Sequence, residues 1–221
     1  MTYEEFHRRF GSAVRTKNIR VGGEDTPEKV ARNKPVHHLP PRGEAPDDLI
    51  RLDPWEAEYL FNVAGTATEG IVETGRWRCG STIVLAAAAP EVPIWSIDLS
   101  PKDDAWARGF IEKAALNPRV DMIVGDSRKT RYPQIGAYDV LFIDGDHSYE
   151  GRIDDMENWW PQLSAGGHMI LHDSYPDQPV MKAVSDFCVR RADELVIMQP
   201  PWRNRDHWRH PVGSMAHAIK R

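Results

Sequence analysis

Two short segments carry the residue types that could do chemistry. FIDGDHSYEG, residues 142–151, and the HDS that closes GGHMILHDS, residues 166–174, each bring aspartate and histidine together after an apolar run. Asp144 and Asp173 end those runs. If the runs are neighbouring strands of one sheet, the two carboxylates meet at its edge, where ligands of open α/β sheets bind. Hard oxygen ligands of this kind suit Mg²⁺, Mn²⁺ or Ca²⁺. Adding His147 and His172 gives a set that also suits Zn²⁺, although no HExxH spacing is present. His147 stands three residues beyond Asp144, and an imidazole with a reference pKa near 6.5 can accept a proton at neutral pH. A surface or supporting histidine is the plainer reading of the same residue.

A second constellation lies upstream. In ETGRWRCGST, residues 73–82, Gly75 and Gly80 bracket a turn, with Ser81 and Thr82 at the start of a helix. Such a turn lets a ligand approach backbone closely. It is not the dinucleotide GxGxxG, because the second glycine is missing. Asp98 lies 23 residues beyond Gly75, where a carboxylate can take the hydroxyls of an adenosine ribose, and that spacing suits NAD and S-adenosylmethionine equally. GDS, Gly125 to Ser127, is placed to bracket the adenine. Glu73, Asp98, Asp126, Asp144 and Asp173 thus close five successive apolar runs. One carboxylate there is an ordinary helix cap or turn residue; five in succession point to a ligand.

The elements that must position these groups follow from pattern. IVE at 71, IWSID at 94, DMIVG at 121, YDVLFID at 138, HMILHD at 168 and ELVIM at 194 read as strands. Between them STIVLAAAA, AWARGFIEKAAL, RIDDMENWWPQL and VMKAVSDFCVRRA are long enough to be crossover helices. The expected fold is a doubly wound, Rossmann-like α/β sheet, mostly parallel, with GSMAHAIK from Gly213 adding an antiparallel edge strand. Asp53 as N-cap and Pro54 at the first position open a helix with Trp55, Tyr59, Leu60 and Val63 at helical spacing. Residues 1–53, interrupted by Pro27, Pro35, Pro40, Pro41 and Pro46, read as an arm or lid before a domain over 54–221.

Composition excludes several classes. At 221 residues with 41% hydrophobic and 28% charged residues, the chain is an ordinary globular one. The formal charge of −5 provides no global field for nucleic acid or anionic membrane. Arg8, Arg9, Arg15, Lys17 and Arg20 are offset by Glu4, Glu5, Glu24 and Asp25, so no nucleic-acid partner is expected. The longest apolar run, Ile83 to Ala89, is far too short to span a bilayer. Cys79 and Cys188 build no disulfide framework, and the charged N-terminus is no export signal, so a reducing cytoplasm is the expected location.

ETGRWRCGST, SID, GDS, FIDGDHSYEG and GGHMILHDS together resemble the class I S-adenosylmethionine-dependent O-methyltransferases that use a divalent metal, over about residues 54–199. The turn is similar to that of macrocin-type sugar O-methyltransferases, whereas IDGDH resembles the metal segment of catechol and caffeoyl-CoA enzymes, with His147 where those have a catalytic lysine. The resemblance implies Asp144 and Asp173 as metal ligands. A third falls on His172 under the macrocin-type pattern or on Ser174 under the catechol-type one. It also implies a cofactor pocket of Glu73, Gly75, Ser81, Asp98, Asp126 and Ser127.

The expected reaction is methyl transfer from S-adenosylmethionine to a hydroxyl, with Mg²⁺ orienting the acceptor beside Asp144 and Asp173 and His147 removing its proton. Trp202, Trp208, Arg203, Arg205 and Arg209 could stack on and hold a sugar, which favours a carbohydrate acceptor, a mannoside or other glycan precursor. Trp159 and Trp160 read as core. A phenolic or natural-product hydroxyl, an NAD-dependent oxidoreductase and a non-catalytic binding module are the alternatives, and the arm could swap across a homodimer. A serine hydrolase lacks its GxSxG elbow.

Overall fold

The computed structural model describes residues 1–10, 50–129, 132–175, 178–198 and 214–221. Most of the proline-rich segment and the stretch containing Trp202 and Trp208 lie outside the described residues. Seven strands form one sheet: β1 (Ile71–Thr74), β2 (Ile94–Asp98), β3 (Val120–Val124), β4 (Tyr138–Ile143), β5 (Leu163–Leu171), β6 (Leu195–Met198) and β7 (Ala216–Lys220). Their order is β3-β2-β1-β4-β5-β7-β6. The strands β1 to β5 are parallel, and β7 is antiparallel to both neighbours, so the antiparallel strand lies one place in from the edge. The order reverses between β1 and β4, which opens a crevice at their carboxyl ends.

Helices α2 (Pro54–Ala64), α3 (Gly80–Ala88), α4 (Asp104–Lys113), α5 (Tyr149–Trp159) and α6 (Pro179–Arg190) cover the two faces. Successive β4 side chains alternate between them: Val140 and Phe142 join Leu60, Ile71 and Ile83, while Leu141 and Ile143 join Trp159, Leu171 and Phe187. Trp159 and Trp160 are buried on the second face, with Trp160 Nε1 donating to Glu194 Oε2 at 3.0 Å.

Two expectations change. The fifth strand begins at Leu163, ahead of the expected His168, because a bulge around Gly166, whose φ is 79°, sets Tyr138 opposite Leu163 and Val140 opposite His168. On α2 the buried stripe is Glu56, Ala57, Leu60, Phe61 and Ala64, with Trp55 36% exposed; the helix turns Glu56 inward, for reasons given below. The first ten residues are packed on the core. Helix α1 (Tyr3–Phe10) sets fully buried Phe6 against Phe61, ring centroids 5.4 Å apart, and Arg9 Nη2 donates to the Ala114 carbonyl at 3.2 Å.

Away from the crevice, a polar chain crosses the sheet face. Tyr59 Oη lies 2.5 Å from His217 Nδ1, and His217 Nε2 lies 2.9 Å from His168 Nδ1. Burial, with the neighbouring His168 adding to it, pushes the His217 pKa down from 6.5 to about 4. The folded state therefore keeps this ring neutral where the unfolded chain would protonate it.

Two measurements test the packing. Phe6→Ala should cost about 3–5 kcal/mol in urea unfolding; a loss below about 1 kcal/mol would mean that α1 is not held on the core. The His217 contribution is complete above pH 6.5 and is lost as pH falls towards 4, a decline of roughly 3 kcal/mol. That slope should be missing from His217→Gln, and an unchanged slope would refute the assignment.

Candidate active site

The parallel register Ile143 to Leu171 sets Asp144 beside His172 at the carboxyl ends of β4 and β5. Asp173 follows in the left-handed region, φ 54°, a conformation that a non-glycine residue holds only where its surroundings enforce it. One ligand atom each from Asp144, His147 and Asp173 lie within 4.8 Å of one another. His147 Nε2 is 3.5 Å from Asp144 Oδ1 and 3.6 Å from Asp173 Oδ2. The loop that carries His147 is pinned at both sides: Asp146 Oδ1 accepts from Ser148 N at 2.9 Å, and Ser148 Oγ caps α5 by accepting from Gly151 N at 3.0 Å.

Behind this trio stands His172, only 4% exposed. Its Nδ1 is 3.2 Å from Asp144 Oδ1 and 3.4 Å from Asp173 Oδ2, and its Nε2 is 3.3 Å from Glu56 Oε2. Burial disfavours its cation, but three carboxylates outweigh burial and hold its pKa well above the usual value. In return, Asp144 is held well below the carboxylate range against its own burial, and Glu56 is lowered to about 2. Glu56 also accepts from Asp53 N at 2.8 Å, Ser214 N at 2.6 Å and Ser214 Oγ at 2.8 Å. These bonds explain the inward turn of α2. The group of converging ligand atoms found among the described residues is Asp144, His147 and Asp173, whereas His172, expected as third ligand, lines the same cavity with its ring nitrogens against Asp144, Asp173 and Glu56. Ser174, the other candidate, gives its hydroxyl to the Leu171 carbonyl at 3.2 Å.

The glycine turn meets this site directly. Gly75 has φ 82°, and a Cβ there would sit 2.4 Å from the Asp144 carbonyl, so the β1 and β4 loops touch only because the side chain is absent. A cavity of about 350 Å³ opens along the contact, lined by Gly75, Gly80, Ser81, Asp144, His147 and Asp173 among others. This lies within the roughly 300–1,000 Å³ of small-molecule sites.

Four residues expected in the pocket lie outside that lining. Glu73 is fully buried and accepts from Ser81 Oγ at 2.5 Å, Thr82 Oγ1 at 2.6 Å and Ser96 Oγ at 2.5 Å, tying β1 to α3 and β2. Burial raises its pKa. Asp98 accepts from Trp77 N at 2.8 Å and Ser100 N at 2.7 Å, which shapes the glycine turn. Asp126 pairs with Arg128 at 2.9 Å, and Ser127 Oγ donates to Asp155 Oδ1 at 2.6 Å. Each of these contacts ties the residue to its own or a neighbouring element.

The sequence reading missed Glu56, Arg76 and Arg152. Buried Arg76 gives Nε and Nη2 to Asp104 at 3.0 and 2.7 Å and Nη1 to the Ser96 and Ile123 carbonyls at 2.7 and 2.8 Å. Arg152, also fully buried, donates Nη1 to the Ile143 carbonyl at 2.7 Å, and its Nε and Nη2 have no hydrogen-bond partner among the described residues. A signal existed only for Glu56, three residues after the Asp53 cap, the spacing of a capping box.

Sheet order, crevice and glycine turn define the class I methyltransferase fold. Residues 72–174 match the model of the methyltransferase-domain family. A curated relative, "Catechol O-methyltransferase" of Mycobacterium tuberculosis, is 28% identical over 129 residues, and the match spans 57% of each chain. Among solved structures, the O-methyltransferase NovP superposes with a TM-score of 0.60 at 18% identity, covering 76% of this chain and 80% of that one. The SAH-bound Podospora anserina methyltransferase PaMTH1 gives 0.59 at 18%, covering 90% and 100%. No described helix is long and apolar enough to cross a membrane.

Replacing Glu56 by Gln removes the carboxylate that faces buried His172 Nε2. Breaking such a pair costs about 3–5 kcal/mol, and chemical denaturation should show that loss. A variant as stable as the parent would remove Glu56 from its central place.

Proposed function

We propose that this chain moves a methyl group from S-adenosylmethionine to a hydroxyl oxygen, with a divalent cation, Mg²⁺ by first choice, held at Asp144 and Asp173. The observation that carries the reading is the convergence of Asp144, His147 and Asp173 on the cavity that the Gly75 turn lines. Two carboxylates and an imidazole are a donor set that fits such an ion. When bound, the ion would supply Lewis acidity that makes a hydroxyl easier to deprotonate. The chain's own groups do the rest. The turn from Gly75 to Ser81 seats the donor, Asp144 and Asp173 fix the acceptor end of the cavity, and His147 Nε2 takes the hydroxyl proton.

The placement of His147 Nε2 within 3.6 Å of both carboxylates favours a second reading, in which it is the third ligand. One nitrogen cannot be ligand and base together. As for the acceptor, the carbohydrate expectation leaned on the macrocin-type turn and on the stretch with Trp202 and Trp208, which lies outside the described residues. The name of the curated relative supports a phenolic hydroxyl instead.

Labelled methyl transfer to catechol and to a mannoside, with and without EDTA, tests the reaction and ranks the acceptors. Asp144→Ala should lower turnover by at least about a hundredfold, and full, chelator-insensitive turnover by that variant rejects the proposal. For His147→Asn, loss of rate by about 10² to 10⁴ with Mn²⁺ affinity intact identifies a base; weakened Mn²⁺ binding identifies a ligand.

A further inference from the structure

Three arginines meet around the glycine turn, and two of them are paired with aspartates. Arg76 is held by Asp104 and two carbonyls, and Arg78 Nε is 2.6 Å from Asp103 Oδ2. Arg51 differs. It is exposed, lines the cavity, and makes no hydrogen bond or ion pair with any described residue; its guanidinium lies over the Trp77 ring at 4.3 Å. The face of a guanidinium stacked on an aromatic ring leaves its edge N–H groups free for a planar anion.

The platform is rigid. Trp77 is in the left-handed region, φ 43°, its N–H donates to Asp98 Oδ2 at 2.8 Å, and its carbonyl accepts from Lys102 N at 2.8 Å. A non-glycine residue held in that conformation, lining the cavity beneath a cation with no hydrogen bond or ion pair to any described residue, marks a built feature rather than a loose surface stack. The donor's own carboxylate has another partner available, the amides of Gly80 and Ser81 that open α3 and also line the cavity. Asp144 and Asp173 line it as well, so the cavity offers both signs of charge.

We infer that Arg51, stacked on Trp77, binds an anionic group, carboxylate or phosphate, on the acceptor while the acceptor's hydroxyl faces Asp144 and Asp173. This rests on the methyltransferase reading. A single charge-assisted contact of this kind discriminates by about tenfold or more.

The test is calorimetric, on full-length protein saturated with S-adenosylhomocysteine and Mg²⁺. Protocatechuate is compared with catechol, and glucose phosphate with glucose. In the parent, the charged member of at least one pair should bind about tenfold more tightly. Arg51→Gln should erase that preference, and Arg51→Lys should keep part of it. No preference in the parent, an unchanged preference in Arg51→Gln, or an equal loss of S-adenosylhomocysteine affinity in that variant each overturns the inference. Labelled transfer to the same four compounds separates the two claims. Charge-selective binding without transfer defeats only the catalytic reading, and transfer without charge preference defeats only this one.

Discussion

A buried charge pair holds the site together. Glu56 and His172 sit away from water, where an unpaired ion of either sign would be prohibitively costly. Each carries several partners: Glu56 receives Asp53, Ser214 and His172, and His172 faces Glu56, Asp144 and Asp173. Through these contacts one helix start, the approach to β7 and the ends of β4 and β5 become a single unit. The two aspartates that face the cavity are therefore not free side chains on a loop. His172 lies against both, and its contacts help hold their pKa values below the usual carboxylate range against burial.

A second constraint acts from the side. The β1 and β4 loops approach so closely that only glycine fits at position 75, and α5 clamps the same loops from the other face of the sheet. Buried Asp155 accepts from Thr74 Oγ1 at 3.1 Å and from Ser127 Oγ at 2.6 Å, joining the ends of β1 and β3, while Arg152 holds the end of β4. Burial raises the Asp155 pKa despite those bonds. Much of the polar chemistry at the crevice thus serves to hold backbone in place, leaving few groups for ligands.

This division explains which residues were legible beforehand. Strand and helix positions came from period-two and helical spacing, which reflect burial and need no knowledge of partners. Asp144, Asp173 and Gly75 were legible because two apolar runs ending in aspartate and a turn between strand and helix each have one natural outcome in a parallel sheet. Glu73, Asp98, Asp126 and Ser127 looked equivalent to them in type and position. The structure adds what engages them through space: three hydroxyls for Glu73, two amides for Asp98, and Arg128 and Asp155 for the other two. Similarly, the stripe expected on α2 was displaced because a carboxylate with several buried donors to satisfy outweighs a tryptophan that can remain half in water.

The amino-acid sequence by itself determined the doubly wound sheet, its crossover helices and the pair of acidic strand ends, since hydrophobic periodicity and chain-local turn chemistry suffice for those. Tertiary structure alone decided that His172 faces three carboxylates, that Glu56 joins it to Asp53 and Ser214, and that Arg51 makes no hydrogen bond or ion pair with any described residue. Those outcomes depend on which donors and acceptors meet across elements distant in the chain. Residues of the same type compete there for partners on equal chemical terms, and only distance and burial break the tie.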